Sequence, residues 1–105
     1  MLTQKSAIDL VKNFVSDLIN SGINLKEAFI FGSYSKNLQN EYSDIDVALI
    51  AEDFSGISFI DIEKLLPVLR NYYIIQPKTY STKDYLKGDP FLNEIRKDSL
   101  TINFH

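Results

Sequence analysis

The sequence predicts a small α/β (α+β) protein, one mixed β-sheet with flanking helices, and three observations lead there. Two segments carry apolar residues at helical spacing, Ala7 to Leu18 and Phe59 to Leu69. Three short apolar or aromatic runs lie between breakers and are too brief for helices: "AFIF", "DIDVALIA" and "YYIIQPKTY". Their order, helix-strand-strand-helix-strand-helix, fits a sheet with helices packed on it.

Ala7, Ile8, Val11, Phe14, Val15 and Leu18 draw a stripe down a first helix from about Thr3 to Ser21. Thr3, or Ser6 with Asp9, caps its start, and Gly22 ends it. "LKEAFIFGS" is a strand, apolar from Ala28 to Phe31, and "DIDVALIA" is a second. Phe59, Ile62, Leu65, Leu66 and Leu69 mark a helix from Ser58 to Arg70 that Pro67 kinks or ends. "YYIIQPKTY" has the β-branched and aromatic content of a third strand, and Pro77 assigns it to an edge or a strand end. A short helix begins at Ser81 or Thr82, Gly88-Asp89-Pro90 breaks the chain, a helix runs from Pro90 to about Lys97, and "LTINF" adds a final strand.

A length of 105 residues fits one domain, residues 1–105, with a single core. Seven Phe and six Tyr supply much of that core. No apolar run approaches the roughly 20 residues of a membrane span, and "MLTQKSAIDL" lacks the order of a signal peptide, so the cytoplasm is the expected location and no membrane partner is expected. Without cysteine there is no disulfide framework or thiolate metal site, and the single histidine is the last residue, His105. A net charge of −3 and thinly spread Lys and Arg disfavour long nucleic acids, though not a single nucleotide bound with a metal.

Chemistry concentrates in "FIFGSYSKNLQNEYSDIDVALI", residues 29–50. Side chains alternate across a strand, so Asp44 and Asp46 share one face while Ile45, Val47 and Leu49 take the other. Two neighbouring carboxylates repel, and a cation or a proton relieves them; oxygen ligands of this kind suit Mg²⁺ or Mn²⁺ with substrate phosphates. Gly32 permits close approach of backbone N–H groups to a phosphate, the Ser33 hydroxyl adds a hydrogen bond, and a helix beginning near Tyr34 or Ser35 would point its positive end the same way. Taken separately, glycine-serine is most often a turn and alternate aspartates a solvated strand face. Together they are harder to explain by folding, because a carboxylate at Asp46 gives an otherwise apolar strand no packing benefit.

In order and spacing, "FGSYSKNLQNEYSDIDVALI" resembles the minimal nucleotidyltransferases of the DNA polymerase β-like superfamily, and the likeness extends loosely over nearly all of the chain, including "PFLNEIRKDSLTI". The resemblance implies a nucleotidyltransferase core and transfer of a nucleoside monophosphate from a nucleoside triphosphate, usually ATP, to a hydroxyl. It puts Gly32 and Ser33 on the phosphates, Asp44 and Asp46 on the metal ions as catalytic residues, and Mg²⁺ or Mn²⁺ as the cofactor. Small members of this kind are often antitoxins paired with a HEPN-domain ribonuclease toxin, some adenylylating a toxin tyrosine; such a toxin is the implied partner.

Two positions depart from the family's pattern. Where many relatives have Ala-Arg-Gly this chain has Ser35-Lys36-Asn37, so Lys36 offers the phosphates a point charge instead of a planar fork. The family's third carboxylate lies on the next strand, where alignment places Gln76 as the third-ligand position; an amide can lend a carbonyl oxygen but cannot take a proton. A catalytically weakened module that neutralises its partner by contact, through aromatic surface such as Tyr34, Tyr72 or Tyr73, is the alternative reading. Modification of a small-molecule hydroxyl is a third, for which the chain has little mass to enclose an acceptor. The sequence leaves open whether the chain forms a homo-oligomer.

Overall fold

The computed structural model describes residues 2–104; His105 lies outside them. Its elements are α1 (Gln4–Asn20), β1 (Leu25–Phe31), β2 (Ile45–Ala51), α2 (Ser58–Leu69), β3 (Ile75–Ser81), α3 (Thr82–Lys87), α4 (Pro90–Arg96) and β4 (Leu100–Thr101). The strands form one mixed sheet in the order β3-β2-β1-β4, with β1 antiparallel to β2 and β4, and β2 parallel to β3. Antiparallel β1 and β2 need only the loop between them, whereas parallel β2 and β3 need a crossover, which α2 supplies.

Alternation along the strands divides the core in two. Ala28, Ile30, Ile45, Val47 and Leu49 face α1 and α2, where they bury Val11, Phe14, Leu18 and Leu65 completely. Phe29, Ala48, Ile50 and Tyr80 form a smaller cluster on the opposite face with Leu92 of α4, and Phe31 and Ile95 pack at its margin. Asp46 has the same strand parity as Ala48 and Ile50, so it belongs to this second, thinner face.

Local chemistry sets the element ends. Thr3 caps α1, with reciprocal hydrogen bonds to Ser6. Ser81 and Asp84 make the same capping box for α3, which stops at Gly88 in the left-handed conformation (φ 73°). Asp89 caps α4 ahead of Pro90, the first helical residue. Pro77 lies on an edge strand, as expected, and Pro67 falls in the last turn of α2.

The buried side of α2 differs from the apolar stripe. Asp61, Leu65 and Val68 face inward, while Phe59 is 79% exposed and Leu66 half-exposed. Asp61 is fully buried, and its carboxylate accepts from four donors: Ser55 N (2.8 Å), Ser55 Oγ (3.0 Å), Gly56 N (3.1 Å) and Thr79 Oγ1 (2.6 Å). Burial alone raises its pKa, but the hydrogen bonds from Thr79, Ser55 and Gly56 outweigh that and hold it below the usual aspartate value. Tyr34 is also a correction: it is buried in the main core at 1% exposure and offers no aromatic surface. Tyr72 is half-buried and donates to Asp17 on α1, whereas Tyr73 is open to solvent.

Candidate active site

The polypeptide leaves β1 at Phe31, turns through Gly32 and Ser33, and returns along β2, whose register sets Asp46 directly opposite Phe31. The parallel register of β3 sets Gln76 directly opposite Asp46 on its other side. Phe31, Asp46 and Gln76 therefore form a row across three strands, on the face that carries α4. Asp44 precedes β2 by one residue and is exposed.

Gly32 and Asp46 touch. A Cβ atom placed on Gly32 would lie 2.4 Å from Asp46 Oδ2, and Gly32 has φ 76°, a backbone conformation that L side chains rarely adopt. No other residue type fits that bend without displacing the carboxylate. The turn and the acidic pair thus meet at one end of the sheet.

Charge is concentrated there without internal compensation. Among the described residues neither Asp44 nor Asp46 accepts a side-chain hydrogen bond or joins an ion pair. Burial raises the pKa of Asp46, and the charge of Asp44 raises it further. Carboxylates that the fold leaves unpaired, one of them only partly solvated, are suited to hard cations, and the donor set here is all oxygen. Among the described residues no group of three or more His, Cys, Asp or Glu side chains is assembled to hold a metal ion. Gln76, exposed beside Asp46, brings an amide carbonyl where a third carboxylate would complete such a group.

The expected helix after Ser33 does not form. Residues 32–37 make a hydrogen-bonded turn, with Lys36 N donating to Gly32 O (3.3 Å) and Leu38 N to Ser33 O (2.9 Å). Asn37 takes φ 58° and ends it, and one turn alone does not repay helix nucleation. A full helix dipole is therefore not aimed at the site. The turn is fixed in other ways: Tyr34 anchors it in the core, Ser35 Oγ donates to Gly32 O (2.9 Å), and Gln4 Nε2 of α1 donates to Tyr34 O (2.9 Å). Gln4 carries no signal in the sequence for this role, and Tyr34, expected as exposed aromatic surface, anchors the turn instead.

Lys36 is exposed, and with Gly32, Ser35, Phe31 and Ile95 it lines a cavity of about 200 Å³ that Glu94 and Asp98 close from the α4 side. Across the row, Lys78 of β3 lies over the Phe91 ring of α4, 3.9 Å from its centroid. α4 is held against the sheet at its other end by Arg96, which pairs with Glu27 and lies over the rings of Phe29 (5.4 Å) and Tyr85 (4.9 Å).

A four-stranded mixed sheet with its glycine-serine bend set against an Asp-x-Asp strand is the architecture of a nucleotidyltransferase core. Residues 8–102 match the nucleotidyltransferase domain family, and the chain belongs to it. It is 33% identical over 88 residues to a relative named as a protein adenylyltransferase, MJ0435 of Methanocaldococcus jannaschii, covering 82% of this chain and 90% of that protein. The fold is similar to the crystal structure of a protein described as a nucleotidyltransferase from Sulfolobus solfataricus (TM-score 0.69, 20% identity, 93% of this chain and 80% of that one). It is also similar to a chain in the crystal structure of a toxin-antitoxin with AMP-PNP (TM-score 0.60, 22% identity, 90% of this chain and 73% of that one). At these identities the structural likenesses establish the fold. Among the described residues no helix is long and apolar enough to cross a membrane.

Proposed function

We propose that this chain, as a single cytoplasmic domain, transfers AMP from ATP to a hydroxyl of a partner protein, a tyrosine of a HEPN-type ribonuclease toxin, and so acts as an antitoxin. The observation that carries the reading is the contact of Gly32 with the Asp46 carboxylate, which sets the bend read as phosphate-binding beside an acid read as cation-binding. The adenylyltransferase name of the relative and the toxin-antitoxin neighbour support the choice of reaction and partner.

Asp44 and Asp46 would hold Mg²⁺ or Mn²⁺ in this reading, and Gln76, in register with Asp46, would add a neutral oxygen. When bound, the cation offsets charge on the phosphates and lowers the pKa of the attacking hydroxyl. Backbone N–H groups at Gly32 and Ser33, the Ser33 hydroxyl and Lys36 orient the triphosphate. The acceptor oxygen bonds to the α-phosphorus, the bond to the bridging oxygen opens, and pyrophosphate leaves. Gln76 cannot receive the hydroxyl proton, so the proton passes to water.

Incubation of the chain with labelled ATP, Mg²⁺ and the protein encoded beside it tests the reading: label should transfer to the partner and should cease with Asp44→Ala or Asp46→Ala. Persistent transfer by both variants removes these residues from the mechanism. A second reading, neutralisation by binding alone, is favoured by one observation, the amide in register with Asp46. Under that reading both variants bind and neutralise the partner as the native chain does.

A further inference from the structure

The site at this end of the sheet carries an unusual charge balance. Its acids number two, Asp46 in the row and Asp44 just before β2, and among the described residues no third acidic, histidine or cysteine ligand joins them. One divalent cation cancels two carboxylates; a second would find on the protein side only a neutral amide at Gln76, although the nucleotide's phosphates still call for positive charge. The next residue on the same face of β3 is Lys78, since side chains two apart on a strand share a face. Lys78 is the sole basic residue in β2 or β3. Its ammonium has no carboxylate partner among the described residues and is held over the Phe91 ring instead. A cation over an exposed ring is weakly held, so a phosphate can draw it away. Its flexible four-carbon stem permits such movement without a change in the strand.

We propose that this site takes one divalent cation where a three-carboxylate site would take two, and that Lys78 supplies the remaining positive charge by binding the phosphates of the nucleotide. The inference rests on the nucleotide-binding reading above. It separates two functions that a pair of ions would share: Asp44 and Asp46 fix the single ion, and a mobile ammonium follows the phosphates from the β3 side. Gln76 and Lys78 then act as one unit, because an amide at Gln76 avoids the carboxylate that would pair with Lys78 and hold it away from the phosphates.

Manganese titrations in the presence of AMP-PNP, followed by electron paramagnetic resonance, count the bound ions, and calorimetry measures nucleotide affinity. One Mn²⁺ per chain is expected, rising towards two in the double variant Gln76→Asp, Lys78→Met. Lys78→Met keeps the apolar stem against Phe91 and should weaken AMP-PNP binding about tenfold, while Lys78→Arg should retain most of it. A thermal melt of each variant verifies that the fold is intact. Two Mn²⁺ per native chain, or unchanged affinity in a folded Lys78→Met, overturns the proposal while leaving nucleotide binding standing. Absence of both manganese and AMP-PNP binding to the native chain overturns the proposal together with the reading beneath it.

Discussion

At Gly32 two constraints coincide, and either would exclude a side chain. The positive φ penalises any L residue, and a Cβ atom there would occupy the position of Asp46 Oδ2. Gly32→Ala is therefore expected to cost about 1–3 kcal/mol in urea denaturation and to abolish nucleotide binding measured by calorimetry. Asp46 carries the opposite kind of tension. Its pKa is raised in the fold, by burial first and by Asp44 second, so its ionised form opposes folding at neutral pH. That opposition fades as pH falls from the raised value towards the ordinary aspartate range near 4. Asp46→Asn should accordingly melt higher than the native chain at pH 7, the gap closing as pH approaches 4, while cation binding is lost; a lower melting temperature at pH 7 would contradict this account.

Elements are joined by polar contacts at the far side of the sheet from that charge. Asp61 on α2 reaches Thr79 on β3 and the Ser55-Gly56 loop, tying crossover helix, edge strand and loop together. Its depressed pKa means the reverse pH dependence: the stabilisation is complete above the unfolded value near 4 and disappears as pH falls through the folded value below it. Asp61→Asn should cost about 2–4 kcal/mol at pH 7, because an amide presents two donors to groups that need an acceptor, and should cost less at pH 3 in the same urea titration. The edge of β3 is managed as strictly. Of its alternate residues, Ile75 N donates to Tyr72 O (2.9 Å), Pro77 has no N–H, Thr79 N donates to Ser58 Oγ (3.1 Å) and Ser81 N to Asp84 Oδ2 (3.1 Å). Every donor that would pair with an added strand is absent or engaged, which protects the edge from association. Ser81→Ala removes half of the α3 capping box and should destabilise the chain by about 1 kcal/mol in thermal or urea unfolding.

Across the whole molecule the two faces of the sheet have different work. The α1–α2 face holds the larger cluster, with Phe14, Leu18, Ile30, Leu49 and Leu65 all fully buried. The α4 face buries fewer residues and leaves Asp46 partly solvated. A radius of gyration of 12.8 Å is close to the roughly 13 Å expected for about 100 residues in one compact unit. Unfolding in urea should therefore follow one cooperative transition by both tyrosine fluorescence and circular dichroism; separate midpoints would show that the α4 face opens independently.

The order of elements and the glycine-serine bend were legible in the chain because each is a local pattern: helical spacing, strand alternation, and a glycine followed by serine at the end of an apolar run. The same holds for Pro77 at an edge, since a missing N–H is a local property. What local pattern could not give was the inward face of α2. Its stripe put Phe59 and Leu66 inside, yet donors from the Ser55-Gly56 loop and from Thr79, 18 residues beyond Asp61 on β3, drew that aspartate in instead. Nor could it show that the turn after Ser33 stops short of a helix, because Tyr34 is committed to a core made by other segments. By itself the sequence determined the order of the elements and singled out the glycine-serine bend and the acid pair as the candidate site. Only the tertiary structure decided that Gly32 touches Asp46, that Gln76 stands beside it and that Lys78 follows on the same face, because strand register is fixed by packing across the whole sheet.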